Sequence, residues 1–263
     1  MALEIGFIFD IDGVVVDSPH EKAWRETARR WGIERFTSED YLTTAAGRPR
    51  AEGAEEIFRR FHVYERLGLR EERERSEALR RFCDEKQALI KQYVLRGNFR
   101  VYDSTVRFML DAKADGVRLA AASSSKNARP MLERIDLYAL VQSQAWSYPF
   151  VHKGYRLYDL FDVDVCGRSF EHGKPHPEIF LTAASELGLA PSACVVFEDA
   201  ISGVQAAKRG GMFCVGIVRI GALDDLRNVG ADRVVYDFEE LSYASLKEHL
   251  VEGNLESVSL GSL

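Results

Sequence analysis

Short, unbroken apolar runs recur along the chain, each giving way to a polar turn and then to a stretch with helical spacing. The first is Ile5-Gly6-Phe7-Ile8-Phe9, ending in Asp10. Others occupy residues 117–122, 160–165, 194–197, 213–217 and 233–235. Hydrophobicity that is continuous rather than alternating marks strands buried on both faces, as in a parallel sheet. Helical patterns lie between them at 177–187 and 200–209, the second stopped by Gly210-Gly211. Strands that alternate with helices predict an α/β fold built on a doubly wound parallel sheet.

Residues 18–98 break this rhythm. They contain no convincing strand, only charge-rich helical stretches. Ala23, Trp24, Thr27, Ala28 and Trp31 form an apolar stripe at helical spacing, the mark of a face turned to a core. Arg70-Glu71-Glu72-Arg73-Glu74-Arg75 mixes signs and reads as a solvated helix face. The pattern predicts an all-helical domain over 18–98, inserted into a core domain of residues 1–17 and 99–263. A second irregularity, 138–158, is rich in aromatic residues, and the pattern assigns it no role. The tail after Leu250 is polar and is expected to be peripheral.

Of the 263 residues, 46% are hydrophobic and 29% charged, the balance of a globular protein with ample chain to bury a core. Acidic residues outnumber Lys plus Arg by 41 to 35, a net charge of −6 that argues against nucleic acid as a partner. No apolar run approaches the roughly 20 residues of a membrane span. No basic region precedes an apolar stretch at the start, so no secretory signal is expected. Cys83, Cys166, Cys194 and Cys214 show no Cys-x-x-Cys spacing, which predicts free thiols and a cytoplasmic location.

Candidate chemistry gathers where the predicted strands end. The first runs into Asp10-Ile11-Asp12-Gly13-Val14-Val15-Val16-Asp17. Open α/β sheets bind ligands at the carboxyl ends of their strands, which puts Asp10 and Asp12 where chemistry is expected. Two carboxylates that close repel, and a hard cation such as Mg²⁺ relieves the repulsion through oxygen ligands. The plainer reading is a pair of turn-capping aspartates. An Asp-x-Asp pair also holds a metal in sugar-nucleotide transferases without acting as a nucleophile. A second strand runs into Ser123-Ser124-Ser125-Lys126-Asn127, whose hydroxyls and amides suit phosphate oxygens as well as a helix N-cap. Gly173-Lys174-Pro175-His176-Pro177 places a lysine just before a helix. Val195-Val196-Phe197-Glu198-Asp199 ends a further strand with two more carboxylates, too much negative charge for one crevice unless a cation joins them.

In this order the four segments resemble the four motifs of the haloacid dehalogenase-like superfamily: Asp10-x-Asp12-Gly13-x-x-x-Asp17, Ser123, Lys174 in Gly-Lys-Pro, and Glu198-Asp199 followed by Ser202-Gly203. The resemblance spans nearly the whole chain. Residues 123–127 and 173–180 look most like the beta-phosphoglucomutase-like phosphatases and phosphomutases, and 138–158 looks like an insertion relative to them. The resemblance implies a Rossmann-like core with a helical cap at 18–98. It also implies Asp10 as nucleophile, Asp12 as general acid and base, and Ser123 and Lys174 as holders of the transferring phosphoryl oxygens. Mg²⁺ would lie on the Asp10 carboxylate, the Asp12 carbonyl and Asp199, with Glu198 beside them, while Asp17 orders the loop. From the cap, His20 resembles a hinge histidine, though its spacing is two residues short. Arg50, in Gly47-Arg48-Pro49-Arg50, resembles the arginine that contacts a non-transferring phosphate, as Ser125, Lys126 and Asn127 would from the core. Val16 departs from the mutases, which usually carry threonine there.

The implied substrate is a small phosphorylated metabolite, most simply a sugar phosphate. Hydrolysis and phosphomutase chemistry share every residue of the first half-reaction and differ in the acceptor. The breadth of phosphatases in the superfamily tips the expectation to a Mg²⁺-dependent phosphomonoester hydrolase. Interconversion of beta-glucose 1-phosphate and glucose 6-phosphate is the alternative. A non-catalytic binding protein on the same fold would be expected to have lost Asp10, Asp12, Lys174 or Asp199, and all four are present.

Overall fold

A computed structural model of the chain describes residues 4–219, 221–243 and 246; the tail after Leu250 lies outside them. In chain order the elements begin with β1 (Gly6–Phe9) and β2 (Val16–Asp17). Five helices follow: α1 (His20–Arg30), α2 (Ser38–Thr44), α3 (Arg50–Arg60), α4 (Val63–Arg66) and α5 (Glu72–Leu95). Next come β3 (Arg100–Val101), α6 (Asp103–Ala114), β4 (Arg118–Ala121), α7 (Ala128–Leu132), α8 (Leu137–Ser143) and β5 (Val163–Asp164). The described part closes with α9 (Glu178–Glu186), β6 (Cys194–Glu198), α10 (Ile201–Arg209), β7 (Phe213–Ile217), α11 (Leu223–Asn228) and β8 (Arg233–Val235). The chain divides into two units, one of residues 1–16 and 101–263, the other of residues 17–100.

The first unit is built on a six-stranded sheet of order β5-β4-β1-β6-β7-β8, parallel throughout. All six apolar runs contribute to it. The chain leaves β1 for β4 on one side and later for β6 on the other, so β1 sits at the switch point where such sheets bind ligands. Phe9 is in register with Ala121 on β4 and Phe197 on β6, which brings the ends of the three strands level. Successive side chains of a strand point to opposite faces. Phe7 and Phe9 accordingly join Phe108 of α6 and Phe197 in an aromatic layer, with the Phe9 and Phe197 rings stacked 4.6 Å apart. Ile8 and Val196 face the other way, into a core shared with Phe180 of α9 and Val204 of α10. A core on each face explains why the strands are apolar without alternation.

The second unit is helical. Its core gathers Trp24 and Ala28 of α1, Ile57 and Phe58 of α3, and Ala78 and Phe82 of α5, with Phe58 and Phe82 fully buried and their rings 5.0 Å apart edge to face. Thr37 and Asp40 cap α2 reciprocally, and Arg60 of α3 reaches Asp40 at 2.7 Å. Among the described residues no helix is long and apolar enough to cross a membrane. All four cysteines are free, Cys194 and Cys214 buried, Cys83 and Cys166 half-buried.

The aromatic stretch 138–158 belongs to the first unit and packs on α6: Tyr148 donates to Asp111 at 2.5 Å and the Gln144 amide to Asp103 at 2.7 Å.

Candidate active site

Asp10 follows the last residue of β1, where its N–H donates to the Phe197 carbonyl at 3.0 Å, so the sheet ladder itself fixes its backbone. Its side chain is buried beside Lys174 and Glu198, which come from the loop before α9 and the end of β6. The Lys174 ammonium donates to Asp10 Oδ1 and to Glu198 Oε1, both at 2.6 Å, and lies 4.8 Å over the Phe180 ring. Burial alone would lower the Lys174 pKa, but the Asp10 and Glu198 charges outweigh it and hold the ammonium protonated. Burial pushes Asp10 the other way, up to about 7, with Glu198 and Asp12 adding to the rise and Lys174 opposing it.

Glycine makes room for the remaining carboxylates. A Cβ on Gly203 would sit 1.7 Å from Glu198 Oε1, so the Glu198 side chain lies directly against the first turn of α10. Its other oxygen accepts from the Ala200 N–H at 2.8 Å. Gly13 has φ +86°, and a Cβ there would meet Asp199 Oδ2 at 1.9 Å. The Asp199 carboxylate is thus seated against the loop that carries Asp12. Burial, then the charges of Glu198 and Asp10, raise its pKa well above the ordinary carboxylate value. Ser123 Oγ donates to Asp12 Oδ2 at 3.0 Å and accepts from the Ser125 N–H at 3.1 Å. The Asn127 N–H donates in turn to Ser125 Oγ at 3.1 Å.

The structure therefore brings Asp10, Asp12, Ser123, Lys174, Glu198 and Asp199 together at the carboxyl ends of the central strands, with Lys174 and Asp10 in contact although 164 residues apart in the chain. Ser125 and Asn127 belong to the same Ser123 loop, where Asn127 is buried and Lys126 exposed. Glu198, expected beside the metal, has both oxygens engaged, one on Lys174 and one on Ala200, and so anchors the lysine. His20 and Arg50 lie in the helical unit. The Arg50 guanidinium donates to the Cys83 carbonyl at 3.4 Å. His20 Nδ1 lies 2.7 Å from the buried ammonium of Lys86, which also stands 4.9 Å over the Trp24 ring. Lys86 belongs to none of the sequence motifs. Its signal was its place on the apolar stripe of α5, between Phe82 and Leu89–Ile90, where a charged residue needs a partner.

A buried lysine bridging two carboxylates, beside further carboxylates and a serine hydroxyl, suits the handling of an anionic group in the way phosphoryl-transfer sites do. Comparison with known proteins agrees. A family model described as haloacid dehalogenase-like hydrolase matches residues 6–211. Beta-phosphoglucomutase of Mycobacterium tuberculosis is 33% identical over 255 residues, covering 89% of this chain and 90% of that protein. A phosphorylated carbohydrates phosphatase of Thermotoga maritima is 30% identical over 210 residues, covering 78% of this chain and 81% of its own length. The crystal structure of an archaeal beta-phosphoglucomutase from a Pyrococcus species superposes with a TM-score of 0.73 at 31% identity, over 95% of this chain and 99% of that one. The chain belongs to the haloacid dehalogenase-like hydrolase family, in its beta-phosphoglucomutase-like group of phosphatases and phosphomutases.

Proposed function

We propose that this protein is a phosphomutase that interconverts beta-glucose 1-phosphate and glucose 6-phosphate through a phosphorylated Asp10. The observation that carries phosphoryl transfer is the Lys174 bridge between Asp10 and Glu198. The choice of mutase rests on relatives of that name, which match close to nine-tenths of both chains. In the first half-reaction an Asp10 oxygen forms a bond to phosphorus as the ester P–O bond breaks, and Asp12 gives its proton to the departing alkoxide. In the second, Asp12 takes the proton of the incoming sugar hydroxyl, whose oxygen displaces Asp10 from phosphorus. Ser123 orients Asp12 through its 3.0 Å hydrogen bond, and Lys174 neutralises charge on the transferring group. Ser125, Lys126 and Asn127, and from the helical unit His20 and Arg50, are the residues proposed to bind the sugar phosphate.

The donor chemistry fits Mg²⁺. The candidate ligands are all oxygens, and the Asp199 carboxylate is cradled against Gly13, a space that any Cβ would fill. Among the described residues no three His, Cys, Asp or Glu side chains form a ready-made cluster. Mg²⁺ needs none, because it keeps waters and substrate oxygens in its shell. The Asp10 carboxylate, the Asp12 carbonyl and Asp199 would hold it. When bound, it would offset the repulsion between an anionic nucleophile and an anionic phosphate.

Val16 and the Thermotoga phosphatase favour a second reading, in which water replaces the sugar hydroxyl and phosphate is released. An end-point assay separates the two: beta-glucose 1-phosphate with Mg²⁺ and a trace of glucose 1,6-bisphosphate, alongside a panel of other phosphomonoesters. Glucose 6-phosphate appearing ahead of free phosphate, and abolished in Asp10→Asn, supports the mutase. Free phosphate alone establishes the hydrolase.

A further inference from the structure

The loop between the two aspartates and the first crossing to the helical unit is held by its carbonyls. The Val14 oxygen accepts from Thr105 Oγ1 at 2.9 Å and the Val15 oxygen from the Tyr102 N–H at 3.1 Å, both donors lying at the start of α6. The Val16 oxygen accepts from the Gly13 N–H at 2.8 Å. The Gly13 oxygen is held from elsewhere: Arg219, just beyond β7, donates to it through Nε at 2.7 Å. The same guanidinium lies 3.6 Å over the Tyr102 ring, donates through Nη1 to the Tyr236 carbonyl at 3.1 Å, and stands 3.9 Å from an Asp237 carboxylate oxygen. Its side chain is only 15% exposed, and its buried Nη2 makes no hydrogen bond.

Holding one carbonyl does not require an arginine, since Thr105 holds the next one with a hydroxyl. An arginine whose side chain is only 15% exposed, packed on a ring and two carbonyls, asks for an explanation. Gly13 supplies one. It follows Asp12 directly, it turns the chain at positive φ, and the Asp199 carboxylate rests on it. Rotation of the Gly13–Val14 peptide would move Asp12 relative to Asp10 and take away the surface that seats Asp199. A planar, rigid fork tied at once to a ring and a second strand end restrains that rotation better than a single hydroxyl.

We propose that Arg219 is a positioning residue for phosphoryl transfer: by fixing the Gly13 carbonyl against Tyr102 and the end of β8, it holds Asp12 and the Asp199 seat in register with Asp10. The proposal rests on the roles given above to Asp12 and Asp199. Its test uses the full chain with Arg219→Met and Arg219→Lys. Arg118→Met serves as the control, because Arg118 ties the opposite end of the sheet to the Leu187 carbonyl. The readouts are kcat and KM on the phosphomonoester that the wild type turns over best, and hydrogen–deuterium exchange of the 11–16 segment. Arg219→Met is expected to lower kcat about 10- to 100-fold with KM changed by less than about threefold, since misplacement of a catalytic group by an ångström costs on that order. Exchange at 11–16 should quicken about tenfold, Arg219→Lys should recover part of both effects, and Arg118→Met should leave both unchanged. An Arg219→Met kcat within about threefold of wild type, a kcat loss matched by Arg118→Met, or unaltered exchange at 11–16 overturns the proposal. If Arg219→Met does not fold, Arg219→Lys decides by the same criteria. A wild type inert on every ester overturns the phosphoryl-transfer reading and the proposal together, which an active wild type with an indifferent variant does not.

Discussion

Replacing Lys174 by methionine would leave the buried carboxylates of Asp10 and Glu198 facing each other across the space that the ammonium fills. Both contacts to the ammonium are 2.6 Å, so the two oxygens are at most roughly 5 Å apart. Two unit charges at that separation repel by about 3 kcal/mol at an effective dielectric of ~20. Removing one member of a buried ion pair costs about 3–5 kcal/mol in general, and the Coulomb figure falls at the lower end of that range. The loss should depend on pH with a definite sign. Asp10 already has a folded pKa near 7, above the ordinary carboxylate value, because of burial. A raised carboxylate contributes stability below its unfolded pKa and loses it as pH rises through the folded one. Without its cation, Asp10 is raised further, so the Lys174→Met variant should be weakest at high pH and recover as Asp10 takes up its proton. Chemical denaturation in metal-free buffer checks this. The expected loss is about 3–5 kcal/mol at pH 8, and at least ~1 kcal/mol less at pH 5.5. Lys174→Met combined with Glu198→Gln should recover part of the pH 8 loss, since one of the repelling charges is gone. A loss below about 1 kcal/mol at pH 8, or one equal at both pH values, would refute the charge argument.

Gly203→Ala sets helix propensity against packing. Alanine is favoured in a helix by about 1 kcal/mol, yet its Cβ would overlap Glu198 Oε1, so net destabilisation by ~1–3 kcal/mol and a fall in kcat are expected from melting curves and turnover. In the helical unit, burial alone would raise the Asp40 pKa, but hydrogen bonds from Thr37 and the Arg60 charge hold it below its ordinary value. That stability is present above the unfolded pKa of about 3.9 and is lost as pH falls through the folded value, so Asp40→Asn should flatten the acid limb of a stability–pH profile. Mg²⁺ at about 100 times its Kd should stabilise the wild type by ~2.7 kcal/mol, measured by denaturation with and without chelator, and Asp199→Asn should abolish the response.

Much of the fold was legible in the sequence because burial on both faces imposes a local signature. Six continuous apolar runs became the six strands, and the polar residues that end them stand at the strand ends whatever else the chain does. Period and punctuation, which involve neighbours a few residues apart, determined that Asp10, Ser123 and Glu198 close strands and that residues 18–98 make helices. Tertiary structure decided what those residues meet. Nothing near Lys174 in sequence announces that it bridges Asp10 and Glu198, since the first of those contacts joins residues 164 apart and the two carboxylates are neighbours only because β1 pairs with β6. Nor does the local sequence reveal that Gly13 and Gly203 are seats for carboxylates, that Lys86 meets His20, or that Arg219 holds Gly13 across 206 residues. The aromatic 138–158 stretch carries no local signal for its contacts with α6, which Tyr148 and Gln144 make with Asp111 and Asp103. Periodicity records which face of an element is buried; it carries no address for the partner, which sheet order and register alone supply.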